Sequence, residues 1–430
     1  MRVAKVFLIA VLAMGIGALG VIAYFKAGER KADKPRPETA ESALSVTASK
    51  QAIAGIQGLG GSVEVDNEIP DKPTVKVRFS YTQVTDAGLK YLKGLIGLQE
   101  LELEETRVTD AGLEHLNGLT GLRHLSLSRT GVTDFGLKHL QGLTSLQVLE
   151  LSGTQVTGAG LEHLKGLTSL RDLWLSSTQV TDAGLEHLKG LTSLQTLILD
   201  GTQVTDAGLE HLKGLTSLQM LILDGTQVTD VGLEHLKGLA SLKDLNLCRT
   251  RVTDSGLKHL QGLIDLEVLV LDGTQITGPG LEHLTGLTSL RGLGLSGTQV
   301  TDAGLAHLKG LTSLGGLSLD GTEVTGTGLY HLESLTGLQE LTLEDAQVTN
   351  AGLEYLKGLT SLTALDLIGT QITDAGLVHL KALAKLQLLD LRDTRLTDEG
   401  IKELQEALPK CELYTGHCLP NARRYQRRQR

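Results

Sequence analysis

The sequence predicts an α/β solenoid, a curved stack of repeats with parallel strands on its concave face and short helices on its convex face. A 24-residue unit recurs fourteen times, beginning at Thr82, with no insertion or deletion between copies. One part of the unit alternates apolar and variable residues, as a strand with one buried face does. Another part spaces its leucines as a helix does. A fixed repeat of this length indicates a repeat architecture.

The strand is clearest in the copy Thr202–Gly225, which reads TQVTDAGLEHLKGLTSLQMLILDG. Leu221 and Leu223 fall on one side of the strand, with a variable residue between them. A single unit cannot bury these leucines, whereas stacked units cover one another's apolar edges. We therefore expect a parallel ladder of strands whose variable side chains remain exposed.

The helix is predicted over residues 205–215, where the leucines follow helical spacing. Thr205 suits the N-cap, and Asp206 places a negative charge in the first turn, where the helix dipole favours it. Gly214 is expected to end the helix as a left-handed residue. Gly208 is glycine in every copy. Glycine destabilises a helix interior by about 1 kcal/mol relative to alanine, so its presence in every copy needs a packing reason. We expect that a side chain here would hold adjacent helices apart.

The pattern LxxLxLxxTxV resembles that of the leucine-rich-repeat family, and the resemblance covers about Val63 to Leu413. The chain is most similar to bacterial members with a helical outer face, related in shape to the ribonuclease-inhibitor type. It departs from many members by carrying threonine in place of asparagine or cysteine. Thr202 and its equivalents are expected to hydrogen-bond loop backbone from rung to rung. Ala346 replaces this threonine once, and we predict that its rung is the weakest.

Composition divides the chain into five segments. A short helix ended by Gly60 and alternating strand patterns suggest a cap before the first repeat, and a helix followed by a strand closes the last one. The predicted segments are a membrane anchor or signal (1–27), a flexible linker (28–46), the N-terminal cap (47–81), the solenoid of fourteen units with its closing strand (82–413) and a basic disordered tail (414–430).

Residues 6–25 contain no charged side chain. Their length favours an uncleaved membrane-spanning helix, which needs about 20 apolar residues. A cleaved secretory signal is the alternative. Basic residues after the run favour a cytoplasmic solenoid, whereas the basic start of the chain favours export. We expect the solenoid on the non-cytoplasmic side of a membrane, or secreted if the signal is cleaved.

The formal net charge is −10, and both ends of the chain are basic, so the repeats are strongly acidic. An acidic solenoid argues against nucleic acid as the partner. The arginine-rich tail is either a disordered end or a contact for anionic lipid, wall polymer or nucleic acid. The three cysteines are too few for a disulfide framework. Cys411 and Cys418 are candidates to pair, and Cys248 has no obvious mate.

Eleven histidines share one position of the repeat, between helix leucines. Tyr91, Tyr355 and Glu403 occupy that position in other copies, and tyrosine would not replace a ligand in a metal-binding row. We interpret the histidines as structural and predict no metal site. The histidines are His115, His139, His163, His187, His211, His235, His259, His283, His307, His331 and His379.

The exposed strand side chains are the candidate binding site. Trp174, Ile198 and Ile222 occupy equivalent positions in consecutive copies, so they should touch and form an apolar patch. The alternative is that parallel strands simply favour such residues. Asp200 and Asp224 are neighbours that could share a calcium ion, although a solvated pair is the simpler interpretation. The full candidate set is Val148, Trp174, Ile198, Met220, Ile222, Asp200, Asp224, Glu102 and Glu104.

No phosphate loop, metal cluster or catalytic triad stands out above the repeat pattern, so we predict no catalytic residues, no cofactor and no enzyme activity. Cys248 lacks a base within reach that would make it a nucleophile. The expected function is a protein-interaction scaffold that binds its partner on the concave face. The alternative is a cell-envelope structural protein that binds glycan or wall polymer.

Overall fold

The computed structural model of the chain describes residues 50–66, 74–95 and 97–416. It divides into two units, Met1–Val228 and Thr229–Arg430, which are considered separately below. The predicted anchor, linker and basic tail, and with them Cys418, lie outside the described residues. Their boundaries therefore stay predictions. None of the helices within the described ranges combines the length and the apolarity that a bilayer crossing needs.

Eight strands form the ladder of the first unit. β1 and β2 are antiparallel, and each later strand pairs in parallel with the one before it. Their bounds are β1 Ser62–Asp66, β2 Thr74–Arg78, β3 Leu98–Glu102, β4 His124–Ser126, β5 Val148–Glu150, β6 Asp172–Trp174, β7 Thr196–Ile198 and β8 Met220–Ile222.

Eight parallel strands form the ladder of the second unit. They are β9 Asp244–Asn246, β10 Val268–Val270, β11 Gly292–Gly294, β12 Gly316–Ser318, β13 Glu340–Thr342, β14 Ala364–Asp366, β15 Leu388–Asp390 and β16 Glu412–Tyr414. The predicted α/β repeat solenoid with parallel strands is thus confirmed.

The predicted repeat helix is shorter than expected and mixed in type. In the copy that begins at Thr202 an α-helical turn at Asp206–Leu209 continues as a 3-10 turn at Glu210–Leu212. The α-helical turns of the first unit are Asp110–Leu113, Asp134–Leu137, Asp182–Leu185 and Asp206–Leu209. Its 3-10 turns are Asp86–Gly94, Glu114–Leu116, Lys138–Leu140, Gly160–Leu164, Glu186–Leu188 and Glu210–Leu212.

The helical turns of the second unit follow the same plan. Its α-helices are Asp230–Leu233, Asp254–Leu257, Asp302–Leu305, Leu377–Leu380 and the longer Asp398–Ala407. Its 3-10 turns are Glu234–Leu236, Pro279–Leu284, Ala306–Leu308, Gly328–Leu332, Gly352–Gly358 and Asp374–Gly376.

The repeat leucines form the core of each unit. In the copy that begins at Thr202, Leu209, Leu212, Leu218, Leu221 and Leu223 are completely buried. Strands pack on strands and helical turns pack on helical turns of the next copy. At the N-terminal end, residues 50–58 are helical and bury Ile56, as the sequence predicts. Gly60 follows with a φ of +83°, a left-handed conformation that glycine adopts without strain.

The left-handed residue of the repeat is not Gly214, and that expectation was wrong. The residue just before the first residue of each copy has a positive φ in all fourteen copies, for example +65° at Gly201 and +68° at Gly225. Seven of these residues are not glycine, among them Ser177 with a φ of 55°. The chain needs this conformation to turn away from the ladder after each strand.

The repeat threonines bond locally, across the turn just before them, rather than from rung to rung. Thr202 Oγ1 donates to the carbonyl oxygen of Leu199 at 2.6 Å, three residues earlier. The same contact recurs in both units, and these threonines are buried. Ala346 has only the backbone bond from its N–H to Leu343 O at 3.1 Å.

The aspartate at the start of each helical turn bonds to the next copy. The Asp182 carboxylate accepts bonds from the backbone N–H of Thr205 at 2.7 Å and from its Oγ1 at 2.6 Å. The sequence interpretation of this residue as a helix-dipole charge missed that role. Both units repeat the contact, and Asn350 substitutes for the aspartate once.

This aspartate also explains the invariant glycine. A Cβ on Gly208 would lie 2.5 Å from Asp182 Oδ1 and 3.1 Å from Leu185 Cδ1. The expectation that a side chain would crowd the neighbouring copy holds, but the carboxylate is the nearest atom. Glycine replaces the aspartate at Gly158, Gly278 and Gly326, and there the two backbones approach closely instead.

Candidate functional site

The strand face of the first unit consists of the three residue columns that alternate with the core leucines from β3 to β8. In the last copy these columns contain Met220, Ile222 and Asp224. The leucines between them are buried, so the columns are the part of the ladder that is available to a partner. All nine predicted site residues lie on this face.

The predicted apolar patch is present as one row of the ladder. Trp174 is the register partner of Ile198, and Ile198 is the register partner of Ile222. Trp174 is 37% exposed, whereas the two isoleucines are half-buried. Met220 and Val148 lie in the adjacent column and are also half-buried. Parallel pairing therefore brings Trp174, Ile198 and Ile222 into one row as the sequence predicts. Asp172 and Thr196 separate Val148 from Met220 in the adjacent column.

The acidic start of the strand face is partly neutralised by β2. Arg78 Nε lies 2.9 Å from Glu102 Oε1, and Lys76 Nζ lies 2.7 Å from Glu100 Oε1. The phenol of Tyr81 hydrogen-bonds to Glu104, which raises the pKa of Tyr81. The sequence interpretation missed these pairings, although β2 follows the repeat register and Arg78 lies 24 residues before Glu102. These ion pairs leave fewer of the carboxylates at this end of the strand face available to a partner.

Asp200 and Asp224 follow the strands of consecutive copies. The backbone N–H of Gly201 donates to Asp224 O at 2.9 Å, which places the two residues on adjacent rungs. Ser176 Oγ donates to Asp200 Oδ1 at 2.5 Å. Within residues 50–66, 74–95 and 97–416, no three acidic, histidine or cysteine side chains gather as a metal site would require.

A hydrogen-bonded cluster on β4 and β5 was missed by the sequence interpretation. Glu150 Oε1 lies 3.2 Å from His124 Nε2, and Glu150 Oε2 accepts from Ser126 Oγ at 2.7 Å. Burial lowers the pKa of His124, but the bond to Glu150 and the nearby Glu100 and Glu102 raise it overall. Burial likewise raises the pKa of Glu150, but the bonds from His124 and Ser126 lower it overall. The pair is therefore held as a charged hydrogen bond over a widened pH range.

Asp172 adds a second carboxylate beside Trp174. It lies two residues before Trp174, on the same face of β6. Burial raises its pKa, and a hydrogen bond from Thr196 and the charge of Arg171 offset this only in part. Asp172 is half-buried. This could not be deduced from the sequence, because the neighbouring side chains that cover it come from other copies.

The histidine column lies on the helical turns, away from the strand face. Gln141 Nε2 lies 2.8 Å from His163 Nδ1, and Gln261 Nε2 lies 3.1 Å from His283 Nδ1. Seven other imidazoles of the column bury an Nδ1 atom that has no partner among the described residues, His211 being one. The structural role of this column and the absence of a metal there stay predictions.

The strand face of the second unit mixes acidic side chains with apolar ones such as Val268 and Val270. Asp366 is the register partner of Asp390, and burial together with Asp390, Asp320 and Glu344 raises the pKa of Asp366 to about 7. Burial raises the pKa of Asp244 to about 6. Cys248 also lies here, and its backbone N–H donates to Asn246 Oδ1 at 2.8 Å.

One exposed aromatic residue outside the strand face also escaped the sequence interpretation. Phe135 lies in the first turn of a helix on the opposite side of the first unit and is 77% exposed. It occupies a position that is alanine in many copies, which is the only signal the sequence offers.

Family models support the repeat assignment. A model described as leucine rich repeat matches residues 96–156 and 216–276, and a second model with the same description matches residues 190–213, 358–381 and 382–404. No curated protein sequence matches the chain significantly.

Solved structures with the same fold include two bacterial proteins. An internalin from Listeria monocytogenes is 23% identical, with a TM-score of 0.57 over 72% of this chain and 89% of its own. A leucine-rich-repeat protein from Leptospira interrogans is 22% identical, with a TM-score of 0.56 over 75% of this chain and 86% of its own. At these identities the likeness concerns the fold alone. The stacked leucine columns, the parallel ladders and these matches make the chain a leucine-rich-repeat protein.

Proposed function

We propose that this chain is a non-enzymatic scaffold that binds a protein partner on the strand face of its first unit. Leucine-rich repeats commonly serve protein–protein interaction, because stacked copies present an extended surface. The position of Trp174 supports the choice of this particular face.

Trp174 is the single tryptophan of the chain, and 37% of its surface is exposed beside Ile198 and Ile222. Leaving so much apolar surface in water is costly, since burial is worth roughly 25 cal/mol per Å². Tryptophan is also the side chain that most often dominates interface energetics. The ring therefore has the character of an anchor for a partner.

The test compares three forms of the full chain as bait in affinity capture. The three forms are wild type, Trp174→Ala and Phe135→Ala. Each variant removes one exposed aromatic ring, and Phe135→Ala controls for nonspecific adhesion to apolar side chains because Phe135 lies outside the strand face. We expect Trp174→Ala to weaken binding of the captured protein by about 2 kcal/mol or more, with an unchanged melting temperature. Equal capture by Trp174→Ala and wild type would contradict the proposal.

The glycan alternative is an outcome of the same experiment. Trp174 is the only aromatic residue in the three columns of the strand face from β3 to β8, all of which are described. A polysaccharide retained by wild type and lost by Trp174→Ala, with no protein captured, would replace the protein partner by a glycan.

For localisation we propose that residues 6–25 anchor the chain in a membrane and that the repeats lie on the non-cytoplasmic side. The absence of charge over those twenty residues supports this. Protease added to intact cells should then digest the repeats. Protection in intact cells and digestion after lysis would place the repeats in the cytoplasm.

A further inference from the structure

The surroundings of Trp174 are chemically specific. Its register partner on β5 is Glu150, its partner on β7 is Ile198, and Asp172 lies two residues earlier on the same face. Asp200 lies two residues after Ile198, so it is diagonal to Trp174 on the next rung. Three carboxylates therefore surround one exposed indole ring within a single rung on either side.

Positive charge is scarce in this part of the strand face. The three columns of the copies that contain β5 to β8 include no lysine or arginine, all of these residues being described. The basic groups whose charges act on Asp172 are Arg171, just before β6, and His124 on β4, which bonds to Glu150. The surface next to the ring is thus negative as well as apolar.

The carboxylates are held in place before any ligand arrives. Glu150 accepts bonds from His124 and Ser126, and Ser176 donates to Asp200 at 2.5 Å. Thr196 hydrogen-bonds to Asp172. These contacts lie on the carboxylates and leave the indole ring 37% exposed. A ligand that matches the site would lose little free energy to reorganisation.

We infer that this site receives an arginine side chain from an extended segment of the protein partner, an inference that rests on the proposed function. A guanidinium group can stack on the indole face while it donates hydrogen bonds to carboxylates at the edge of the ring. Ile198 and Ile222, half-buried in the same row, offer apolar surface to the aliphatic stem or to a neighbouring apolar residue. A neutral ligand of the same shape would gain no charge attraction from Asp172 and Asp200.

The experiment uses the full chain and two blocked pentapeptides, each with glycine and valine flanking a central arginine or a central citrulline. Citrulline has nearly the shape of arginine but no charge. Because Trp174 is the only tryptophan, its emission reports binding at this ring directly. We expect a saturable change with the arginine peptide and affinity weaker by about tenfold for citrulline. Added salt should weaken only the arginine peptide.

Variants then assign the charge requirement to named residues. Combining Glu150→Gln with Asp172→Asn should reduce arginine affinity to the citrulline level. Glu162→Gln is the matched control, because its exposed carboxylate belongs to the same unit but lies on a helical turn. Melting temperatures check that the variants fold, and the comparison of the two peptides on wild type stands even if they do not.

Equal affinity for arginine and citrulline on wild type, or arginine affinity that survives loss of both carboxylates in a folded variant, would overturn the inference. Failure of the proposed function has a different signature, namely equal capture of a protein by wild type and Trp174→Ala. A captured protein that depends on Trp174 but not on the two carboxylates would leave the scaffold proposal intact and contradict only the arginine inference.

Discussion

Asp182 bonds twice to Thr205 in the next copy, through the backbone N–H at 2.7 Å and through Oγ1 at 2.6 Å. This contact ties neighbouring helical turns together along the side of the ladder opposite the strands. It uses a charged acceptor, which strengthens both bonds.

Asp182→Ala should lower the free energy of unfolding by about 1–3 kcal/mol, because the backbone N–H of Thr205 then loses its acceptor. Asp398 occupies the same repeat position in the last copy, and the residue 23 positions after it in the sequence is not a threonine, so Asp398→Ala is the control. Urea denaturation measures both. Equal destabilisation by the two substitutions would show that the contact contributes nothing beyond helix initiation.

Gly208→Ala should destabilise the protein by about 1–3 kcal/mol, since its Cβ would overlap the Asp182 carboxylate; the larger Gly208→Leu should do at least as much. Gly214→Ala is the matched control, because a Cβ there meets no atom within 4 Å. That control should be neutral, or stabilising by about 0.4–1 kcal/mol. Thermal unfolding that fails to separate Gly208→Ala from Gly214→Ala would count against this account.

Ser177→Gly should stabilise the first unit by about 1 kcal/mol, because Ser177 has a φ of 55° and glycine adopts that conformation without strain. The reverse change, Gly201→Ser, places a side chain at a φ of +65° and should cost a similar amount. If backbone strain determines the effect, differential scanning calorimetry should show melting temperatures that shift in opposite directions for the two variants. Shifts of the same sign would exclude strain as the cause.

Ala346→Thr should stabilise its copy by about 1 kcal/mol, because a hydroxyl there can donate to Leu343 O as the other repeat threonines do to their own loops. In wild type, we predict faster amide exchange around Ala346 than in the neighbouring copies. Thr370→Ala, which removes a bond of 2.6 Å to Leu367 O, is the matched converse. No difference in exchange between these copies would refute the prediction.

Asp366 should make stability depend on pH. Its pKa is raised to about 7 in the folded chain, so the folded state holds its proton more tightly than the unfolded state does. The contribution of this group to stability is present at low pH and is lost as pH rises from its ordinary pKa to about 7. Asp366→Asn removes the charge and keeps an acceptor for the N–H of Ile368.

The Asp366→Asn variant should therefore exceed wild type in unfolding free energy by about 1–3 kcal/mol at pH 8, with a smaller difference at pH 5. Glu162→Gln, which changes an exposed carboxylate, should show no such trend. A stability difference for Asp366→Asn that is constant across this pH range would contradict the assignment.

The sequence predicts the periodic features of this fold and misses those that depend on contacts between copies. Leu221 and Trp174 could be placed, because alternation along a strand and parallel pairing at a fixed repeat determine both positions. The bond from Thr205 to Asp182 could not, because each residue also suits a local helix-capping role. The ion pair between Arg78 and Glu102 joins the cap to the first copy at the repeat spacing of 24 residues, so the sequence register could have indicated it.

The glycines that replace the repeat aspartate determine how the ladder would yield under mechanical load. Gly158, Gly278 and Gly326 have no carboxylate to offer the following threonine, and their backbones lie directly against the glycine of the next copy. Two copies joined in this way lack the aspartate–threonine hydrogen bonds that connect other helical turns. If the chain is stretched between a membrane and a bound partner, separation of neighbouring copies should start at these glycines and stop at the next copy that has the aspartate.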